Sequence, residues 1–78
     1  MDEKFNTILS IAIIPQVIDL IISKGKKDEI SAIDAFYSSK TYQLLSNEET
    51  KMWHYSPLTL YMIWKEEQET GNIIFPEE

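Results

Sequence analysis

The sequence predicts an all-α domain, a small bundle of about four helices with the first kinked or split at Pro15. Three observations carry this. Apolar residues recur at helical spacing in separate stretches around Phe5–Ile22, Ile30–Tyr37 and Leu60–Trp64. Polar, charged turns separate those stretches at Lys26-Lys27-Asp28-Glu29 and Ser46-Asn47-Glu48-Glu49. Ser56-Pro57 pairs a capping serine with a proline at the first helical position, where its missing N–H costs nothing. At 78 residues the chain makes one domain, residues 1–78, closed by a short tail.

The first helix starts at Asp2, an expected N-cap, with Asp2 and Glu3 favourably placed against the helix dipole. Phe5, Ile8, Leu9 and Ala12 form one stripe, and Ile11, Ile13 and Ile14 fill the other faces. Pro15 interrupts the hydrogen-bond ladder, so the run continues through Val17, Ile18, Leu20, Ile21 and Ile22 after a kink or a fresh start. Gly25 is the expected stop. A helix apolar on nearly all sides must be covered on nearly all sides. Ile11, Ile14, Ile18 and Ile22 are therefore expected to form a self-association face, and a homodimer is expected.

Asp28 is placed to cap a second helix whose stripe is Ile30, Ile33, Phe36 and Tyr37, opposed by Ser31, Asp34 and Ser38. Tyr42, Leu44 and Leu45 give a short third segment, and Ser46 or Asn47 caps the turn that follows. Trp53-His54-Tyr55 shows no helical pattern and can be extended. The last helix runs from Pro57 to about Thr70 and ends at Gly71; its apolar face is Leu60, Tyr61, Ile63 and Trp64. Asn72 to Phe75 is an apolar tail, closed by Pro76, that either docks along the body or forms an edge strand.

Composition narrows the function. The formal net charge is −6, all positive charge is lysine, and arginine is absent. Arginine is the preferred side chain for bidentate phosphate and guanine contacts, and a nucleic-acid binder normally shows a basic face. No nucleic-acid partner is expected. Cysteine is absent and histidine occurs once, which removes disulfides and the usual zinc sets. No metal and no cofactor is expected. The apolar run from Ile8 to Ile22 spans about 15 residues where roughly 20 are needed to cross a bilayer. It contains Asp19 and follows an acidic flank, so neither a membrane span nor a signal peptide is expected, and the protein reads as cytoplasmic.

His54 is the side chain suited to proton transfer near neutral pH. A hydrolase would need it as base for Ser56 with an acidic orienter, yet Ser56 already caps a helix. A partly buried histidine bonded to backbone is the plainer expectation. The carboxylates Glu48, Glu49, Glu66, Glu67 and Glu69 lie in polar surroundings and read as solvated surface. No enzyme is expected and no catalytic residue is assigned. The aromatic side chains are a core in the plainer reading; in the functional reading Tyr37, Trp53, Tyr55, Tyr61 and Trp64 anchor a protein partner, since tyrosine and tryptophan dominate binding hot spots. Glu66, Glu67 and Glu69 would then steer a basic partner electrostatically.

From Ala35 onward, Phe36-Tyr37, Ser39-Lys40, Tyr42, Leu44-Leu45, Glu48-Glu49-Thr50, Trp53, Ser56-Pro57, Leu60-Tyr61, Glu66-Glu67, Gly71 and Pro76 carry a resemblance to a family of short Firmicutes-type bacterial proteins with no established activity. It covers residues 35–78 and implies a small accessory protein encoded beside toxin-like or defence genes, with no catalytic residue attached. The leading expectation is a non-enzymatic interaction module, antitoxin-like or adaptor-like, with a protein partner of basic, toxin-like character. The alternatives are a small ligand-binding protein or enzyme using His54, and a helix-turn-helix regulator.

Overall fold

The computed structural model describes residues 3–75 and is an all-α bundle with no strand among those residues. The expected caps and closures at Asp2 and Pro76 lie outside the described residues. The chain runs through α1 (Glu3–Ile8), a π-helical stretch (Leu9–Ile13), α2 (Ile14–Gly25), α3 (Glu29–Tyr37), α4 (Lys40–Leu45), two 3-10 turns (Glu48–Thr50 and Met52–His54) and α5 (Pro57–Thr70). The first three pieces form one rod. α2 packs against both α3 and α5, while α4 bridges α3 and α5.

As the sequence predicts, the first helix is split at Pro15, which stands at the start of α2, and the pieces stay joined in one rod. The turn before it widens: the Ile14 amide reaches the Leu9 carbonyl, five residues back. A widened turn relieves the clash between a proline ring and the carbonyl four residues earlier. Gln16 Nε2 donates to the Ala12 carbonyl at 2.6 Å, adding a side-chain bond where the ladder is disturbed. The buried positions record the extra residue. They step from Phe5 to Leu9 by four, from Leu9 to Ile14 by five, then on through Val17, Ile18 and Ile21. Ile8 and Ala12, expected on the buried stripe, are accordingly exposed.

The rod from Lys4 to Gly25 has 22 residues and is long and apolar enough to cross a membrane by length and composition, so the sequence estimate of its span was short. Here one side of it is built into the core. Gly25 is the last helical residue, not the left-handed stop: that conformation falls on Lys26, at φ 55°.

Asp28, Asn47 and Ser56 cap as the sequence predicts, and Ser39 adds a cap to α4 that it does not predict. Asp28 accepts from the Ser31 amide (3.2 Å), Ser39 from Tyr42 (3.1 Å), Asn47 from Glu49 (3.1 Å) and Ser56 from Thr59 (3.2 Å). Each satisfies an amide that the first helical turn leaves without a partner. Met52–His54 is a 3-10 turn and not extended, entered through Lys51 at φ 58°. Residues 72–75 form no strand; Ile73 packs partly on the core, while Ile74 and Phe75 are exposed. The core is one cluster in which Val17, Ile21, Phe36, Leu45, Met52 and Leu60 are fully enclosed.

Candidate interaction groove

The α3 stripe is rotated from its expected position. Ala32 and Phe36 are buried, whereas Ile30 is 79% exposed, Ile33 38% and Tyr37 44%. Ala32 and Phe36 lie four apart and fill the space beside α2, which turns Ile30, Ile33 and Tyr37 toward the surface. Ile33 and Tyr37 stand on the α3 side of a groove of about 410 Å³, with Ile14, Ile18 and Ile22 on the α2 side. Pro15 and Ser10 also line it. Its ionisable lining is Asp19 and Glu29, both exposed, and no lysine lines it.

This revises the expected self-association face. Ile14 and Ile18 are core residues, 5% and 7% exposed, and Ile22 is half-buried; only Ile11, at 72%, stands free. The four residues do not form an open stripe, but three of them meet in the groove beside α3.

The aromatic set divides in two. Tyr61 and Trp64 are buried at 6% and 4% and are core, not anchors. The Trp64 indole N–H is buried without a hydrogen-bond partner. Trp53 is partly exposed, but its Nε1 donates to the Glu48 carbonyl at 3.0 Å and its ring meets Phe5 edge-on at 6.3 Å. It fastens α1 to the 3-10 turns. Tyr55 is half-buried against the core. Tyr37 is half-exposed and lines the groove between α2 and α3, its ring centroid 4.6 Å from that of Tyr42.

The acidic trio divides as well. Glu69 is exposed and Glu66 partly so. Glu67 is occupied: its two carboxylate oxygens accept the Lys40 amide (2.9 Å), the Thr41 amide (3.0 Å) and the Thr41 hydroxyl (2.8 Å). Partial burial, the largest single influence, pushes the Glu67 pKa up; the bonds from Lys40 and Thr41 and the Lys40 charge together outweigh it and hold the carboxyl below its ordinary range. Asp28 is also held low, chiefly by its bonds from Ser31.

His54 is exposed, not buried as expected, and its ring lies edge-on to Trp53 at 4.1 Å. The depression it borders, about 390 Å³, is lined by Thr50, Lys51, Tyr55 and Phe75 as well, with no carboxylate to orient an imidazole. Ser56 lies outside that lining, engaged with Thr59. Among the described residues no group of three or more His, Asp or Glu side chains could hold a metal ion. The middle helices α3 and α4 carry a single lysine, Lys40, so neither presents a basic face of the kind a DNA-reading helix needs.

The sequence puts Ile33 on a stripe read as core and offers Tyr37 as a partner anchor, but it does not single out Asp19 and Glu29. The available signal was Glu29, Ile33 and Tyr37 at intervals of four beside the similar row Ile14, Ile18 and Ile22. No family model, curated protein or solved structure matches the chain.

Proposed function

We propose that the protein is a non-enzymatic interaction module, antitoxin-like or adaptor-like, whose partner docks in the groove between α2 and α3. The observation that carries this is the exposure of Ile33 and Tyr37 beside the apolar row of α2, at 38% and 44%. Ile14 and Ile18 are already buried, so it is Ile22, Ile33 and Tyr37 that gain free energy when a partner removes them from water. A tyrosine at the edge contributes ring area at low entropic cost. The accessory role implied by the resemblance to short bacterial proteins agrees with this reading. No comparable observation favours His54 chemistry, because its depression offers no acidic partner.

The test is photo-crosslinking in the producing cell, with a photoreactive residue at position 33 or, as a control, at position 43, exposed and outside the groove lining. A discrete adduct with another protein from position 33 and none from position 43 supports the reading. No adduct from either position, or equal adducts from both, rejects it.

A further inference from the structure

We infer that the groove takes an amphipathic helix with a basic border, not a second copy of this chain and not a membrane surface. The inference rests on the interaction-module reading and names the partner class for the same site. Two rows of side chains spaced by four border the groove, Ile14, Ile18 and Ile22 on α2 and Glu29, Ile33 and Tyr37 on α3. Rows spaced by four are the ridges into which another helix packs its own side chains. The α2 row is about 12 Å long at 1.5 Å per residue, which matches two helical turns of a partner. A helix presenting apolar residues at i, i+4 and i+7 would fill it.

Charge selects among such helices. The groove lining carries the two carboxylates Asp19 and Glu29 and no cation, on a chain of net charge −6. A second copy docked symmetrically through this groove would set one cation-free acidic lining against the same lining, and like charges across an interface cost affinity. An anionic membrane would be repelled in the same way. Lysine or arginine beside the apolar stripe of a partner helix satisfies both groups and speeds encounter.

The probe is a fluorescent amphipathic peptide of about four turns, with an isoleucine and leucine stripe flanked by lysines, and its counterpart with every lysine replaced by glutamate. Fluorescence polarisation with the full chain should show the basic peptide binding at least about tenfold tighter, with affinity falling as salt rises. Ile33→Ser and Tyr37→Ala should each weaken it by about fivefold to tenfold. Asp19→Asn with Glu29→Gln, both exposed positions, should erase the preference for the basic peptide. That pair reads the charge selection even if an apolar variant fails to fold.

Equal affinity for the two peptides, or no binding of either, overturns the inference. So does a concentration-dependent doubling of mass that Ile33→Ser abolishes, which assigns the groove to a second copy. Binding to phosphatidylglycerol vesicles that the same variant abolishes overturns it too. The crosslink from position 33 stands apart from these outcomes. An adduct there with failure of the basic peptide rejects the partner class and leaves the module; no adduct rejects the module and, with it, the partner class that rests on it, even where the peptide binds.

Discussion

Glu67 and Thr41 are joined by two hydrogen bonds across 26 positions of sequence, the Thr41 amide to Oε1 at 3.0 Å and its hydroxyl to the same oxygen at 2.8 Å. The other oxygen takes the Lys40 amide at 2.9 Å. A side chain of α5 thus satisfies the first turn of α4, a helix too short to persist alone. α4 is held between its own Ser39 cap and a carboxylate from the far end of the chain.

Removing that carboxylate should therefore loosen α4. Glu67→Ala should lower unfolding free energy by about 1–2 kcal/mol, with Glu67→Gln close behind because one amide oxygen replaces two acceptors. Urea denaturation at neutral pH measures both. Equal midpoints for wild type and Glu67→Ala would refute the coupling.

The same bond predicts a pH dependence. The folded Glu67 pKa lies below its ordinary value of 4.5, so the folded state favours the carboxylate. The stabilisation is full above the unfolded pKa and fades as pH falls through the lower, folded one. Asp28 is shifted in the same direction and adds to the slope. The difference between wild type and Glu67→Gln isolates Glu67: it should shrink on acidification and vanish below both pKa values. A constant difference from neutral to acid pH would contradict the assignment.

Two left-handed positions make an opposed pair. Gly71 closes α5 at φ 80°, and a Cβ there would meet nothing within 4 Å, so the cost of Gly71→Ala is backbone strain alone, about 1 kcal/mol. Lys26 adopts φ 55° at the end of α2 without being glycine. Lys26→Gly should leave stability unchanged or raise it by up to about 1 kcal/mol, the relief of strain being partly offset by the greater freedom of glycine in the unfolded chain. Thermal melts of the two variants should move in opposite directions, or only Gly71→Ala should move; a loss from Lys26→Gly as large as that from Gly71→Ala would count against the strain at position 26.

What the sequence displayed of this molecule depended on distance. Ser56-Pro57 and Asp28 act on amides three residues away, and local spacing announces them. The widened turn before Pro15 is visible only once the buried set is known, because the five-residue step from Leu9 to Ile14 is hidden among isoleucines on every face. The α3 stripe misled for the same reason. Ile30 and Ile33 are more apolar than Ala32, yet the close approach of α2 favours the smaller Ala32 and leaves the isoleucines outside. Glu67 sits among other glutamates, and nothing local separates the one that reaches Thr41. The groove combines both difficulties, since it exists only when α2 and α3 pack.

The two tryptophans supply the last prediction. Trp64 is 4% exposed within the single core, so Trp64→Ala should cost about 3–5 kcal/mol, comparable to the whole stability of a domain this size. Trp64→Phe should cost much less, because it keeps most of the ring area and discards an indole N–H that has no partner. Trp53 is 36% exposed and holds Phe5 and the Glu48 carbonyl at the edge of the fold. Trp53→Ala should cost about 1–2 kcal/mol and act locally, releasing α1 while α2 stays packed. Hydrogen exchange separates these outcomes: Trp53→Ala should raise exchange at α1 amides and spare those of α5, whereas Trp64→Ala should raise exchange throughout. Uniform loss of protection in both variants would mean that Trp53 belongs to the same cooperative core as Trp64.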